Sequence, residues 1–421
     1  MEEKLSIHGG LPLIGEVRIS GAKNAALKQL AACLLCPEKV VLHNISHLDD
    51  ITLMMQLLTD LGCEVSLIGR HSFSLNCAKI GSVEVPYSLV KAMRASVVVL
   101  GPLLSRFHEA KVSLPGGCAI GSRPINIHLD GLKAMGAHIE LKEGFIAATA
   151  KAGLQGAEFT MPMVTVTGTE NLMMAAVLAN GTTVLHNAAR EPEVADLAHF
   201  LNAMGAKISG IGTATLTIEG VKQLHGTEYS VMGDRIEAGT YLVAGAMTNG
   251  DVTTKGVQPE VMMPIVDKLK EAGAKVTCYD DAIRVDMQEH MLRAVMLETE
   301  PYPGFPTDMQ AQFMALNCVA SGVGMITETI FENRFMHVDE LKRLGASIRV
   351  NGDVVLTAGV HKLMGAPVMA SDLRAAACLV LAGLVAEGHT VIEGLHHMDR
   401  GYEFLEEKLL KLGAEIERII Q

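Results

Sequence analysis

Apolar and polar positions recur along the chain in a pattern that repeats six times. A short phrase recurs in each repeat: Leu61-Gly62-Cys63-Glu64-Val65, Met135-Gly136-Ala137-His138-Ile139, Met204-Gly205-Ala206-Lys207-Ile208, Ala272-Gly273-Ala274-Lys275-Val276, Leu344-Gly345-Ala346-Ser347-Ile348 and Leu412-Gly413-Ala414-Glu415-Ile416. The glycines of these phrases are 74, 69, 68, 72 and 68 residues apart. An amphipathic stretch precedes each phrase, and Val261–Glu271 shows its helical period. A glycine after such a stretch supplies a left-handed helix cap, and the β-branched residues beyond it start a strand. Upstream lies a more apolar helix that ends in a turn. It reads Leu172–Asn180 before Gly181 and the strand Thr182–Leu185, with Tyr241–Thr248 before Gly250 and Leu379–Ala386 before Gly388 as counterparts. Each unit therefore reads helix, strand, helix, strand, further strand. The pattern predicts an α/β protein of six internal repeats of about 70 residues each.

The last unit is short of a strand pair, since the chain stops at Gln421, and the missing piece stands at the other end. Leu5-Ser6-Ile7-His8-Gly9 is followed six residues on by Gly15, as Gly220 is by Gly226 and Gly359 by Gly365. Residues 1–20 are expected to complete the sixth unit. The division becomes three units plus three: one domain over 21–231, the other over 1–20 joined to 232–421. Two connections, near Ser20 and Met232, would cross between them and could act as hinges.

Composition narrows the function classes. Of 421 residues, 49% are hydrophobic and 19% charged, a balance that builds a core and opposes disorder. The net charge of -12 argues against a general nucleic-acid surface. Trp is absent and aromatics are 4%, so no stacking platform for single strands is expected. The halves differ: 18 basic and 20 acidic residues up to position 230, against 17 and 27 after it. Of eight cysteines, Cys33 and Cys36 form one Cys-x-x-Cys pair in an apolar helical stretch, with no second pair at zinc spacing. Buried packing is the expected reading, and no metal site. The charged start Met1-Glu2-Glu3-Lys4 is no signal peptide, and the longest apolar run, Ala375–Ala386, is too short to span a bilayer. A cytoplasmic protein without membrane partners is expected, and nothing in the sequence demands more than a monomer.

Candidate chemistry gathers at the starts of the apolar helices, which read Lys23-Asn24, Arg94-Ala95, Glu170-Asn171, Arg235-Ile236, Asp308-Met309 and Asp372-Leu373-Arg374. Acidic residues suit a helix start as caps, but cations there oppose the macrodipole. An anionic ligand would explain Lys23, Arg94, Arg235 and Arg374, as much as ordinary solvation would. The loop Pro115-Gly116-Gly117-Cys118-Ala119-Ile120-Gly121-Ser122-Arg123-Pro124 holds a thiol beside a guanidinium, the setting of a reactive cysteine. The other seven cysteines lie in apolar contexts and are expected to be inert. In Tyr302-Pro303-Gly304-Phe305-Pro306-Thr307-Asp308, two prolines and a glycine build a rigid turn that presents Asp308 as a base or an N-cap. In His397-Met398-Asp399-Arg400-Gly401-Tyr402, Asp399 reads as an N-cap and Arg400 as a cation in the first turn of the following helix.

At these residues the chain resembles the enolpyruvyl transferases that act on UDP-N-acetylglucosamine and begin peptidoglycan precursor synthesis. The resemblance rests on Ser20-Gly21-Ala22-Lys23-Asn24-Ala25-Ala26, the Cys118 loop, Phe305-Pro306-Thr307-Asp308, Thr327-Glu328-Thr329-Ile330-Phe331-Glu332-Asn333-Arg334-Phe335, Asp372-Leu373-Arg374 and Asp399-Arg400-Gly401-Tyr402. It implies two inside-out α/β barrel-like domains of three units each. It implies transfer of the enolpyruvyl group of phosphoenolpyruvate to the sugar 3'-hydroxyl, with release of phosphate, by addition and elimination through a tetrahedral intermediate. Cys118 matches the family's general acid, which can also carry a pyruvate adduct. Asp308 matches the residue at the sugar hydroxyl. Lys23, Arg123 and Arg400 match the residues that hold phosphoenolpyruvate, with Asn24 beside them. Arg94, Arg123, Pro124, Ile125, Asn126, Ile127, Asp308 and Ile330 match contacts to the nucleotide sugar, and Thr165, Val166 and Thr167 stand in matching places. Arg334, Asp372 and Arg374 match further substrate-binding positions. No metal or organic cofactor is implied. The chain departs from the family at Met163, where lysine is common, at Asn126, where Asp is usual, and at Asp49, where some members have Lys. Two rivals stand beside this reading. One is the related transferase acting on shikimate 3-phosphate, which has no such cysteine loop and whose Gly-Asn-Ala-Gly-Thr phrase is absent here. The other is a non-catalytic, nucleotide-binding repeat scaffold.

Overall fold

The computed structural model describes residues 3–114 and 125–420. Each of the six repeat glycines adopts a positive φ, between 88° and 107°. In every repeat the amide after the glycine donates to the carbonyl of a leucine five residues back: Cys63 to Leu58, Ala137 to Leu132, Ala206 to Leu201, Ala274 to Leu269, Ala346 to Leu341 and Ala414 to Leu409, at 2.9–3.1 Å. This six-to-one bond closes the helix and turns the chain into the next strand. Only glycine reaches that backbone conformation without a Cβ penalty. The repeated phrase is thus a stop signal read locally.

Among the described residues, six four-stranded sheets share one strand order. In one of them Glu158–Thr160 runs parallel to Thr182–His186, which pairs antiparallel with Thr215–Glu219, which pairs antiparallel with Lys207–Ser209. The sixth sheet takes its third strand from the other end of the chain. Glu3–His8 lies between His389–Glu393 and Glu415–Ile420, antiparallel to both. The next strand, Ile14–Arg18, passes on to the fourth sheet as the parallel neighbour of Asp251–Lys255. Glu228–Ser230 does the same for the first sheet, beside Lys39–His43. The described chain falls into two compact units, one from Gly21 to Met232, the other made of the residues up to Ser20 and those from Gly233 on.

Within each unit the apolar helices are buried and the sheets face outward. All thirteen residues of the Arg235–Met247 helix are buried, and it packs against the helices Gln310–Val319 and Leu373–Val385, which also pack against each other. A helix apolar on every side has no face to give to water and becomes the core. Strands such as Thr215–Glu219 alternate buried and open positions, as a sheet covered on one face must. No helix among the described residues is long and apolar enough to cross a membrane. The paired spacing of glycines also has a cause. A Cβ on Gly220 would stand 1.6 Å from the Ala179 carbonyl oxygen, and one on Gly359 would stand 1.7 Å from that of Ala320. Both glycines lie where a strand end abuts the end of a core helix.

Three expectations are corrected. The third apolar helix spans Val166–Ala176, not 172–180, because Thr165 caps it by accepting from the Gly168 amide at 3.2 Å. Glu170 therefore sits a turn inside the helix and not at its start. Asp399 caps nothing. Its two oxygens accept from the Arg418 guanidinium at 3.0 and 2.7 Å, and the next helix begins only at Leu405. Arg400 accordingly lies in a turn before that helix. Finally, Cys278 is exposed, on the strand Lys275–Tyr279, whereas Cys33, Cys36, Cys63, Cys77, Cys318 and Cys378 are buried as expected.

Candidate active site

Cys118, Arg123 and Pro124 lie outside the described residues. The remaining candidates fall into two groups, one in each unit.

In the Gly21–Met232 unit, Lys23 opens the helix Lys23–Ala32, with Asn24 next to it. Its Nζ stands 3.0 Å from Asp50 Oδ2, in the first turn of the helix Asp49–Leu61. One turn into the Lys23 helix, the Lys28 side chain is buried and donates to the Asn24 carbonyl at 2.8 Å. Its ammonium stands 3.3 Å from the fully buried Glu170 carboxylate. Burial pushes the Glu170 carboxyl up to about 7, against the pull of Lys28. Arg94 opens the 3₁₀ turn Arg94–Val99. Asn171 braces this turn: its amide nitrogen reaches the Val97 carbonyl at 3.5 Å and His128 Nδ1 at 3.0 Å, while its oxygen accepts from Gly101 N at 2.7 Å. Because the amide nitrogen faces the ring, His128 Nδ1 accepts, and the imidazole is neutral. Burial, with Arg94 close by, lowers its pKa to about 4. Ile125 precedes the helix Asn126–Ala134, which Asn126 and Ile127 open, while Thr165, Val166 and Thr167 form the start of the third core helix. Met163 is exposed.

In the other unit the starts of two core helices converge. Pro306 leads into the turn Thr307–Met309, and the helix Gln310–Val319 follows directly. Asp308 Oδ1 accepts from Arg334 Nη2 at 2.7 Å, and Oδ2 accepts from Arg374 Nη2 at 2.8 Å. The arginine side chains are only 7% exposed, while the aspartate keeps 26% of its side chain open. Burial alone would raise the Asp308 carboxyl; the Arg374 and Arg334 charges outweigh it and hold the group well below the ordinary carboxylate value. Each arginine is held in turn. Arg334 Nη1 donates to Thr307 Oγ1 at 2.8 Å, and that hydroxyl donates to Glu328 at 2.8 Å. Glu328 also accepts from Thr299 and from the amides of Ile330 and Phe331, which fixes the Ile330 segment. Arg374 Nη1 donates to Tyr402 Oη at 3.2 Å. Asp372 caps the Leu373–Val385 helix by accepting from the amides of Arg374 and Ala375 at 2.8 and 3.0 Å. Next to it His337 is buried, and burial lowers its pKa to about 4 although Asp372 pulls the other way.

The structure thus brings Asp308, Arg334 and Arg374 into direct contact, with Asp372 and Ile330 built into the same supports. Sequence reasoning missed Asp50, Lys28, Thr240 and Gln312. For Lys28, Thr240 and Gln312 the signal was a polar side chain inside a buried helix, as in Gln310-Ala311-Gln312-Phe313-Met314-Ala315-Leu316; Asp50, in the acidic first turn of an amphipathic helix, gave none. A buried charge or amide needs a partner, and the partner marks a built site.

Comparison with known proteins identifies the family. Residues 7–409 match the family described as EPSP synthase (3-phosphoshikimate 1-carboxyvinyltransferase). The chain is 58% identical over 417 residues to a UDP-N-acetylglucosamine 1-carboxyvinyltransferase of Coxiella burnetii (strain Dugway 5J108-111), covering 99% of this chain and 96% of that one. It is 59% identical over 416 residues to the protein of the same name from Hydrogenovibrio crunogenus, covering 99% of both. Among solved structures, the enolpyruvyl transferase NikO from Streptomyces tendae superposes with a TM-score of 0.89 at 27% identity, covering 99% of both chains. EPSP synthase from Acinetobacter baumannii superposes with a TM-score of 0.79 at 18% identity, covering 99% of this chain and 100% of that one, which speaks for the fold alone.

Proposed function

Because the chain belongs to the UDP-N-acetylglucosamine 1-carboxyvinyltransferase family, we propose that it moves the enolpyruvyl group of phosphoenolpyruvate onto the 3'-hydroxyl of UDP-N-acetylglucosamine, with release of phosphate. The observation that carries this reading is identity of 58–59% along nearly the whole length to relatives of that name.

The reaction needs a proton at carbon, a proton acceptor at oxygen, and fixed charge around a departing phosphate. In the addition step the sugar oxygen bonds to C2 of phosphoenolpyruvate, and C3 takes a proton. We assign that proton to Cys118. In the elimination step C3 loses a proton, the C2–O bond to phosphate breaks, and the double bond returns. No electrons leave the substrates, so the stoichiometry calls for no redox partner. Lys23, Arg123 and Arg400 are assigned to the phosphate and carboxylate of phosphoenolpyruvate, with Asn24 beside them. Arg94, Pro124, Ile125, Asn126, Ile127, Thr165, Val166, Thr167, Ile330, Arg334, Asp372 and Arg374 are assigned to binding and shaping the nucleotide-sugar site.

Asp308 is assigned to the sugar hydroxyl, and its clamp refines the role. A carboxylate stabilised by two guanidiniums is a weak base. It orients the hydroxyl as a hydrogen-bond acceptor and takes the proton late, as the oxygen gains its bond to C2 and becomes acidic. We also propose that the enzyme acts in the cytoplasm as a monomer.

Phosphate release from phosphoenolpyruvate tests the reading. Release is expected with UDP-N-acetylglucosamine and not with shikimate 3-phosphate. The reverse pattern would move the chain to the other branch of the family, and no release with either acceptor would favour a binding scaffold.

A further inference from the structure

One side chain from each of the three core helices in the Asp308 unit meets at a single phenol. Tyr402 Oη is 3.2 Å from Arg374 Nη1, 2.9 Å from Thr240 Oγ1 and 3.4 Å from Gln312 Nε2. Gln312 Nε2 also reaches Thr240 Oγ1 at 3.1 Å. Thr240, Gln312, Arg374 and Tyr402 are all buried.

The direction of these bonds is fixed by counting hydrogens. Thr240 has one hydroxyl proton, and it goes to the Ile236 carbonyl at 2.8 Å. Its oxygen can therefore only accept from its other neighbours. Gln312 must present its NH₂ to Thr240, and the Tyr402 O–H must point at Thr240. The lone pairs of the phenol are left for Arg374 and Gln312. The chain of donors runs one way, from Arg374 to Tyr402 to Thr240 to the Ile236 carbonyl. Burial pushes the Tyr402 phenol pKa up, which keeps its proton in place. With Nη1 committed to this chain, the rotation of the planar guanidinium is constrained, and Nη2 meets Asp308 at 2.8 Å.

We infer that Tyr402, Thr240 and Gln312 are positioning residues for the transfer reaction: they set the rotation of Arg374, and through it the direction in which Asp308 presents its open edge to the acceptor hydroxyl. This rests on the proposed function, but the geometry can be read without it. None of the three is assigned to touch a substrate.

The test uses the full-length enzyme. Y402F keeps the ring and removes the oxygen. It is expected to lower kcat roughly tenfold, with KM for both substrates within about twofold, because a misdirected carboxylate fails in the transition state more than in binding. T240V should act in the same sense, and T240S, which keeps the hydroxyl, should recover most of the loss. Unchanged kcat in folded Y402F and T240V overturns the inference. So does an equal loss in T240V and T240S, which would make the effect one of packing, or a rise in KM alone, which would make it one of binding. The crystal structure of Y402F gives a readout independent of turnover. Arg374 is expected to swing off Asp308, and an intact ion pair in Y402F overturns the inference. An unmutated enzyme that releases no phosphate would instead sink the functional reading, while the crystal structure would still decide the role of Tyr402.

Discussion

Replacing Asp308 with Asn separates what the clamp contributes to stability from what it contributes to chemistry. The substitution leaves Arg334 and Arg374, each 7% exposed, facing an uncharged amide that turns an oxygen to one of them and an NH₂ donor to the other. Removing one partner from a buried ion pair costs about 3–5 kcal/mol, and the quarter of the aspartate side chain that is open puts D308N near 3 kcal/mol. The pH dependence follows from the sign of the shift. The folded carboxyl lies well below its unfolded value of 3.8, so its contribution is present above about that pH and is lost only as the pH falls through the folded value. Urea unfolding of both proteins from pH 8 down to about pH 2 should show a constant gap to about pH 4 and a narrowing gap only below the unfolded value. Turnover, read as phosphate release, should fall by ~10²-fold or more, the scale of a lost proton acceptor. A gap that closes near pH 6 would refute the clamp as the origin of the stability. A stable D308N with near-normal turnover would refute the assignment of Asp308 to the reacting hydroxyl.

Three further outcomes follow from other parts of the molecule. Glu170 is raised from 4.5 to about 7 in the folded chain, so its contribution is full below about pH 4.5 and is lost as the pH rises through 7; E170Q should remove a fall of about 3 kcal/mol across that window in urea unfolding at pH 5 and pH 8, and an unchanged slope would contradict the burial argument. A thiol-directed epoxide should label Cys118 and spare Cys33, Cys318 and Cys378, whose thiols burial pushes up, that of Cys318 to about 12; peptide mapping that finds the label on any of these three would overturn the assignment of the reactive thiol. Gly220→Ala should cost more than 4 kcal/mol or abolish folding, because its Cβ would stand 1.6 Å from the Ala179 carbonyl oxygen, and a wild-type melting temperature would contradict that contact.

The parts of the fold legible in the sequence were those settled locally. Each repeat glycine is fixed by a bond spanning five residues, so a short phrase carries the whole signal. The helix starts were less legible, since a helix apolar on every side has no polar stripe to mark its first turn, and Thr165 gives no sign of capping until its oxygen is seen to accept from Gly168. In the candidate site, Asp308 and Arg374 stood out because charges at the mouths of apolar helices are costly. Thr240 and Gln312 did not, because their meaning lies in partners 162 and 90 residues away. Asp399 misled for the same reason, since its partner Arg418 sits on a strand beyond the next helix.

The strand Glu3–His8 has a consequence for how the gene can be rearranged. Glu3 pairs with Ile420 across adjacent antiparallel strands, so the first and last paired residues of the chain are neighbours in one sheet. A short peptide could join Ile420 to Glu3 without disturbing that pairing, and the chain could then be opened at an exposed turn elsewhere, such as Glu143-Gly144. Such a circular permutant would carry its sixth sheet as one continuous stretch of gene. In the natural order Glu3–His8 is made well before His389–Glu393 and Glu415–Ile420, so it must wait for both before it can take its place between them.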